Sequence, residues 1–265
     1  GLLEGEDVLA TAAAVRAMGA LVERFENGDW SVTGVGVGGL AEPEDVIDMG
    51  NAGTGTRLMM GILAGHDMTT VLTGDVSLRS RPMERVSMPL REMGAQIFAR
   101  DGGRLPLMVM GAADPMPIEY TLPMPSAQVK SAILLAGLSA PGETSVVEPE
   151  PTRDHTERMM RHFGATVRME TNERGARRVT LLGQPELMAA DVVVPRDFSS
   201  AAFPLVGALL APGSEITLPG IGLNPHRSGL LTTLIEMGAE IEQRNLREVA
   251  GELVADLVVR AGRLR

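Results

Sequence analysis

The residues that could do chemistry lie at three helix starts and the loops beside them. The run "MGNAGTGTRLMMGILAG", Met49–Gly65, gathers Asn51, Gly53, Thr54 and Arg57 just where the chain turns into apolar helix. Unpaired backbone N–H groups and the positive end of the helix dipole converge at such a start, so it can cradle an anion; small residues there also allow close packing and nothing more. A second stretch, "TGDVSLRSRPM", ends a strand in Gly74 and Asp75 and places Arg79 and Arg81 in the loop before a helix that Pro82 could start. A third pairs "PMPSAQVKSAILL" with "PTRDHTERMM", putting Ser126, Gln128 and Lys130 at one helix start and Arg153 and Asp154 at the next. Arginine forks suit carboxylates and phosphates, so the chemistry on offer is recognition of small anions. Each piece also has a plainer reading. Arg79 and Arg85 can be solvated surface charges, Ser126 an N-cap, and Thr152, Arg153 and Asp154 another helix start. Gln128 and Lys130 are two apart and point away from each other on a helix, which makes Lys130 a weaker candidate than its neighbours.

Composition narrows the classes. The formal net charge is −10 and aromatics make up 3% of the 265 residues, which argues against nucleic acid, whose partners need basic faces or stacking platforms. Lys130 is the one lysine, so arginine supplies every other side-chain cation except histidine. There are no cysteines, which removes disulfides, thiolate nucleophiles and cysteine-ligated metals together. No apolar run approaches the roughly 20 residues needed to cross a bilayer, so no membrane partner is expected and the cytoplasm is the default compartment. His155 and His162 share a helix face but have no third ligand at suitable spacing; no metal site is expected. The seventeen methionines fall on helix faces at core spacing and need no cofactor to explain them.

The elements that must position these residues repeat. "AAAVRAMGALVE", "PLREMGAQIF", "RMMRHFGATVRM" and "LTTLIEMGAEIE" share one ending, with the common glycine at Gly19, Gly94, Gly164 and Gly238, at separations of 75, 70 and 74. Each reads as a helix stopped by a glycine and followed at once by a strand. A second class of helix, "NAGTGTRLMMGILAG", "PSAQVKSAILLAGLSAPG" and "DFSSAAFPLVGALLAPG", keeps the same spacing and is followed by short strands such as "TTVLTG". Strand pairs such as "AQIFAR" and "RLPLMVMG", joined by "DGG", complete the unit, and a strand such as "DVVVP" leads into the next helix. Stacked copies of such a unit imply an α/β fold with helices gathered inside sheets and equivalent loops facing one end. The register begins mid-unit at Gly1 and stops after the strand pair of the fourth, and no initiator methionine is present, so the sequence is expected to be an internal segment of a longer protein.

At these residues the sequence closely resembles the 5-enolpyruvylshikimate-3-phosphate synthase family, also called 3-phosphoshikimate 1-carboxyvinyltransferase. The motifs that carry the likeness are "NAGTGTRL", "TGDVSLRSRPM", "LREMGAQI", "SAQVKSAILLAGL" and "EPEPTRDHTERMM", in order over nearly all of the chain, and they are most similar to the bacterial class II branch. The resemblance implies an inside-out α/β fold of repeated βαβαββ units in two domains, with substrates bound between them. A nearly complete first domain of about three units would cover residues 1–194 and a partial second domain residues 195–265. It implies transfer of the enolpyruvyl group of phosphoenolpyruvate to the 5-hydroxyl of shikimate 3-phosphate, a step of the shikimate pathway of aromatic amino acid biosynthesis, with release of phosphate and no metal or organic cofactor.

Carried over motif by motif, Gly53, Thr54, Arg81 and Gln128 would bind phosphoenolpyruvate, while Ser126, Ala127, Gln128 and Arg153 would bind shikimate 3-phosphate. The partners implied are these phosphorylated carboxylates alone, for a protein that is monomeric at full length. The family's lysine-serine-arginine motif and its later acidic, lysine-containing loop are not in the sequence, so no acid or base residue is assigned and the segment alone is expected to be inactive. At "VPRDFSS", Arg196 stands where the family usually has glycine before the aspartate. Two other readings remain open at this point: the UDP-N-acetylglucosamine enolpyruvyl transferase, whose loop cysteine has no counterpart here, and a non-catalytic anion-binding repeat protein.

Overall fold

The structure, a computed structural model, describes residues 2–265. Helix α1 (Glu6–Ala17) leads into the antiparallel pair β1 (Leu21–Arg24) and β2 (Trp30–Thr33). The next stretch holds β3 (Ile47–Asp48), α2 (Gly53–Ala64), β4 (Thr69–Thr73), α3 (Val76–Ser80), α4 (Glu84–Glu92), β5 (Gln96–Arg100) and β6 (Arg104–Met110). It is followed by β7 (Glu119–Thr121), α5 (Ala127–Gly137), β8 (Glu143–Glu148), α6 (His155–His162), β9 (Val167–Thr171) and β10 (Arg177–Leu182). The last stretch is α7 (Phe198–Leu210), β11 (Glu215–Gly222), α8 (Gly229–Glu236), β12 (Glu240–Val249) and β13 (Glu252–Arg260). Among the described residues no helix is long and apolar enough to cross a membrane.

The repeat appears as identical sheet topology. Two four-stranded sheets run β3-β4-β6-β5 and β7-β8-β10-β9; in each the first pair is parallel and the others antiparallel. A third sheet, β11-β13-β12, keeps the last three places of that order, and Arg196 alone makes a parallel bridge to Ile221 where the first strand would lie. The shared glycines have φ of +99°, +105°, +93° and +87°, a region that side-chain-bearing residues avoid. After α1, α4 and α8 the glycine N–H bonds three residues back and the next N–H five back (Gly94 to Arg91 and Ala95 to Leu90, for example), the bonds that satisfy carbonyls a helix end leaves open. The "DGG" turn likewise has positive φ at Gly102 and Gly103 and closes the β5–β6 hairpin.

The chain folds as two compact units. One runs to Pro151 and resumes over Gly164–Leu187; the other joins Thr152–Phe163 to Met188–Arg265. Helix α6 therefore belongs to the second unit although its sequence neighbours β8 and β9 belong to the first. In the first unit α2 packs on α5 and α4 on both, while β6, β5, β8 and β10 cover them, so helices sit inside and sheets outside. Strand β6 shows why: Leu105, Leu107 and Val109 are buried on one face while alternate residues are not. Helix α5 buries eight of its eleven residues, from Val129 to Gly137, as expected of a helix with neighbours on every side. The second unit has its own core, in which Phe198, Leu205 and Leu209 of α7 meet Leu231 and Leu234 of α8 and Leu257 and Val259 of β13.

Two local expectations change. The Arg79 loop is helix α3, because the Asp75 carboxylate accepts from the Leu78 N–H and caps a short turn, and the next helix starts at Glu84, not at Pro82. The run "DVVVP" is irregular rather than a strand: Val193 and Val194 are exposed, and an apolar pattern becomes a strand only where a neighbour completes its hydrogen bonds. Arg196 lies outside the left-handed region, so its backbone conformation does not require glycine.

The α2–α5 crossing has no room for a side chain. A Cβ added at Gly61 would lie 2.2 Å from the Ala132 carbonyl oxygen and 2.7 Å from its Cα. Gly61→Ala should therefore push two backbones apart, at about 1–3 kcal/mol net of any helix-propensity gain. A melting temperature lowered by several degrees checks this; an unchanged one rejects the close crossing.

Candidate functional site

The first unit brings most of the nominated residues to one pole. Gly53 is the first residue of α2, and its backbone position is hemmed by cations: an added Cβ would lie 2.6 Å from Arg81 Nη1 and 3.3 Å from Arg57 Nη1. A methyl there would displace a guanidinium, the movable end of a long side chain, before it disturbed the core. Arg57 Nη1 donates to the Gly53 carbonyl at 3.0 Å. Arg81 Nη2 donates to Asn51 Oδ1 at 2.8 Å and to Ser77 Oγ at 3.1 Å, and Asn51 Nδ2 donates to Asp75 Oδ2 at 2.6 Å. Asp75, capping α3 through its other oxygen, thus orients Asn51, and Asn51 orients Arg81. The Leu78 N–H and then Asn51 hold the Asp75 carboxyl below its ordinary range.

The two helix starts are tied directly. Gln128 Nε2 donates to Thr54 Oγ1 at 2.8 Å across 74 residues, a separation that also occurs in the repeat. Ser126 caps α5 by accepting from the Val129 N–H at 3.3 Å, leaving Ala127 as the first helical residue. The early N–H groups of α2 and α5 accordingly share this pole with the arginines. Lys130 turns the other way: its Nζ lies 3.0 Å from Glu148 Oε2, and both side chains are fully buried. That placement agrees with the lower rank the spacing argument gave Lys130, and it anchors α5 to the end of β8.

Electrostatically the pole is uncompensated. Arg24, Arg91, Arg168, Arg178 and Arg260 pair with carboxylates, as expected in an acidic chain. Among the described residues, Arg57, Arg81 and Arg85 have no carboxylate within 4.0 Å; Arg85 Nη1 instead donates to Met124 Sδ at 2.8 Å, in the loop before Ser126. Burial and then the charges of Arg81 and Arg85 lower the Arg57 pKa from its ordinary value, so both neighbours oppose the charge on Arg57. An incoming anion would relieve that repulsion and collect charge-assisted bonds.

Arg153 belongs to the second unit. It is exposed and immediately precedes Asp154, the N-cap of α6. The cap differs from the expected one, because the Asp154 side chain does not bond back to its own helix turn. Instead Arg158 binds it with both Nε and Nη2 at 2.9 Å, and Asn224 Nδ2 donates to Oδ1 at 2.7 Å. Burial raises the Asp154 pKa, but Arg158 and Asn224 outweigh it and hold the carboxyl at about 2. Sequence reasoning nominates Asp154 but misses Asn224 and Arg158. The i, i+4 spacing of Asp154 and Arg158 is the available signal for one of them; no local pattern marks the other.

The sequence model of the family described as EPSP synthase (3-phosphoshikimate 1-carboxyvinyltransferase) matches residues 1–263. The 3-phosphoshikimate 1-carboxyvinyltransferase of Rhodospirillum rubrum is 63% identical over 268 residues, covering 100% of this chain and 59% of that protein. That of Paramagnetospirillum magneticum is 63% identical over 265 residues with the same shares. A solved EPSP synthase from Acinetobacter baumannii superposes with a TM-score of 0.90 at 47% identity, over 98% of this chain and 58% of that one. The chain thus spans 59% of the length of these two curated relatives.

The Asp154 pairing has a pH signature. A carboxyl whose pKa falls from 3.8 to about 2 on folding stabilises the native state above its unfolded pKa, and that contribution is lost as pH drops toward 2. It amounts to about 2 kcal/mol. The stability gap between the unsubstituted protein and Asp154→Asn, measured by denaturant titration, should shrink by about that amount between pH 7 and about pH 2. A gap constant with pH would contradict the pairing.

Proposed function

Because the chain belongs to the EPSP synthase (3-phosphoshikimate 1-carboxyvinyltransferase) family, we propose that the whole protein transfers the enolpyruvyl group of phosphoenolpyruvate to the 5-hydroxyl of shikimate 3-phosphate, releasing phosphate. The observation that carries this reading is the uncompensated arginine cluster at the start of α2, where Gly53 leaves room for guanidiniums and Gln128 ties α5 to Thr54. Phosphoenolpyruvate is a phosphorylated carboxylate, and planar cations beside helix starts are complementary to it.

In the proposed roles, Gly53, Thr54, Arg81 and Gln128 hold phosphoenolpyruvate. Ser126, Ala127, Gln128 and Arg153 hold shikimate 3-phosphate. Addition of the 5-hydroxyl across the C2=C3 bond, with oxygen bonding to C2, a proton added at C3 and the hydroxyl proton lost, gives a tetrahedral intermediate that retains its phosphate and carboxylate charges; loss of phosphate from C2 with a proton from C3 restores the double bond in the product. Donors fixed in advance by the Asp75–Asn51–Arg81 chain lower the barrier because they need not reorganise as charge shifts. The same reading takes residues 1–194 as the first domain and 195–265 as part of the second, in a cytoplasmic monomer. It also holds that residues 1–265 alone lack the acid and base groups and do not turn over.

Given both substrates, the whole protein should form product and phosphate in equal amounts while the 265-residue chain forms none. Product from the chain alone would refute its inactivity. In the whole protein, Arg81→Ala should raise the KM for phosphoenolpyruvate roughly 10- to 100-fold, the equivalent of losing a charge-assisted hydrogen bond, and change that for shikimate 3-phosphate far less. Equal effects on both would reject the assigned role.

A further inference from the structure

We propose that Asn224 and Glu252 are positioning residues for Arg153, an inference that rests on the reading of Arg153 as a shikimate 3-phosphate ligand. A helix start is ordinarily fixed by its cap side chain bonding into the first turn. Asp154 instead spends its carboxylate on the side chains of Arg158, one turn into α6, and of Asn224, so the backbone beside Arg153 is held partly by its own helix and partly from a segment outside it.

The outside contacts come from two distant segments. Asn224 follows β11; its Oδ1 accepts from the His226 N–H at 3.0 Å, which turns its Nδ2 toward Asp154 and, at 3.4 Å, toward Glu252 Oε2. Glu252 opens β13, and its Oε1 lies 2.6 Å from His155 Nδ1, the first residue of α6. Beside it the Gly251 carbonyl accepts from Arg158 Nη1 at 2.7 Å. Asp154 and Asn224 are each 3% exposed, so the centre of this network is buried, with Arg158 and Glu252 partly exposed and His155 exposed at its edge. Buried polar networks of this kind are costly relative to apolar packing and are satisfied only in one arrangement. The arrangement they select here is the placement of residues 154 and 155, and with them the backbone from which Arg153 projects.

The test is steady-state kinetics on the whole protein, comparing Asn224→Ala, Asn224→Asp, Glu252→Gln and Arg153→Ala, with melting temperatures recorded for each. Asn224→Ala should raise the KM for shikimate 3-phosphate about 5- to 20-fold and leave kcat and the KM for phosphoenolpyruvate within about twofold. Asn224→Asp sets a third carboxylate beside those of Asp154 and Glu252, which Arg158 and His155 also face; its defect should be larger, and smaller at about pH 6 than at about pH 8, because protonation relieves the repulsion among the carboxylates. Glu252→Gln keeps the shape and should show the same selectivity at about 2- to 5-fold, which holds the test open if an Asn224 variant fails to fold. Parallel rises in both KM values would mean a merely structural network and overturn the inference. So would an unchanged shikimate 3-phosphate KM in the Asn224 and Glu252 variants while Arg153→Ala raises it. No effect of Arg153→Ala itself would instead overturn the reading of Arg153, and the inference with it.

Discussion

The crossing of α2 and α5 at Gly61 and Ala132 is the constraint on which the first unit depends. With no side chain between them, the two helices approach until backbone meets backbone, and their starts come close enough for Gln128 to reach Thr54. Gly137, whose added Cβ would lie 2.9 Å from Thr144 Oγ1, brings α5 close to β8, there against a side chain instead of backbone. Small residues in these helices therefore serve two purposes. They let interior helices pack tightly beneath the sheets, and by doing so they put N–H-bearing ends side by side.

Charge is handled in two ways near the start of α5. Near its start, Arg57, Arg81 and Arg85 are left without carboxylate partners in a chain that has an excess of acids. One turn further in, the only lysine is paired with Glu148 and removed from solvent. The first arrangement stores repulsion that an anion can relieve; the second commits its charge to architecture. Neutral Asn51 between Asp75 and Arg81 keeps the acid within reach as an orienting group without cancelling the arginine. The second unit offers a contrast, since Arg227 bonds directly to Asp197 at 2.5 Å and is neutralised where it stands.

Much of this was legible in the sequence. The glycine-terminated helices, the interior small-residue helices and the hairpin joined by two glycines are local features, and the repeat implied that its copies share one arrangement, because stacked copies of one unit must bury the same faces. The positions of Gly53, Thr54, Ser126 and Gln128 at helix starts followed from residue type. "DVVVP" did not become a strand, and the Arg79 loop became α3, because an unpaired edge and a capping aspartate each override a local pattern.

What the sequence determined by itself was the vocabulary: which segments are helix or strand, where each stops, and which side chains can hold an anion. These depend on backbone preference and periodicity, which act over a few residues. Only the tertiary structure decided partnership. That Arg57 is half-buried beside two other guanidiniums, that Lys130 finds Glu148, that α6 joins the second unit, and that Asn224 and Glu252 close on Asp154 and His155 are outcomes of packing between segments up to 97 residues apart. No local pattern encodes them, because a buried polar group takes its partner from whatever the fold brings within about 3 Å, and that is settled only when the whole unit has closed.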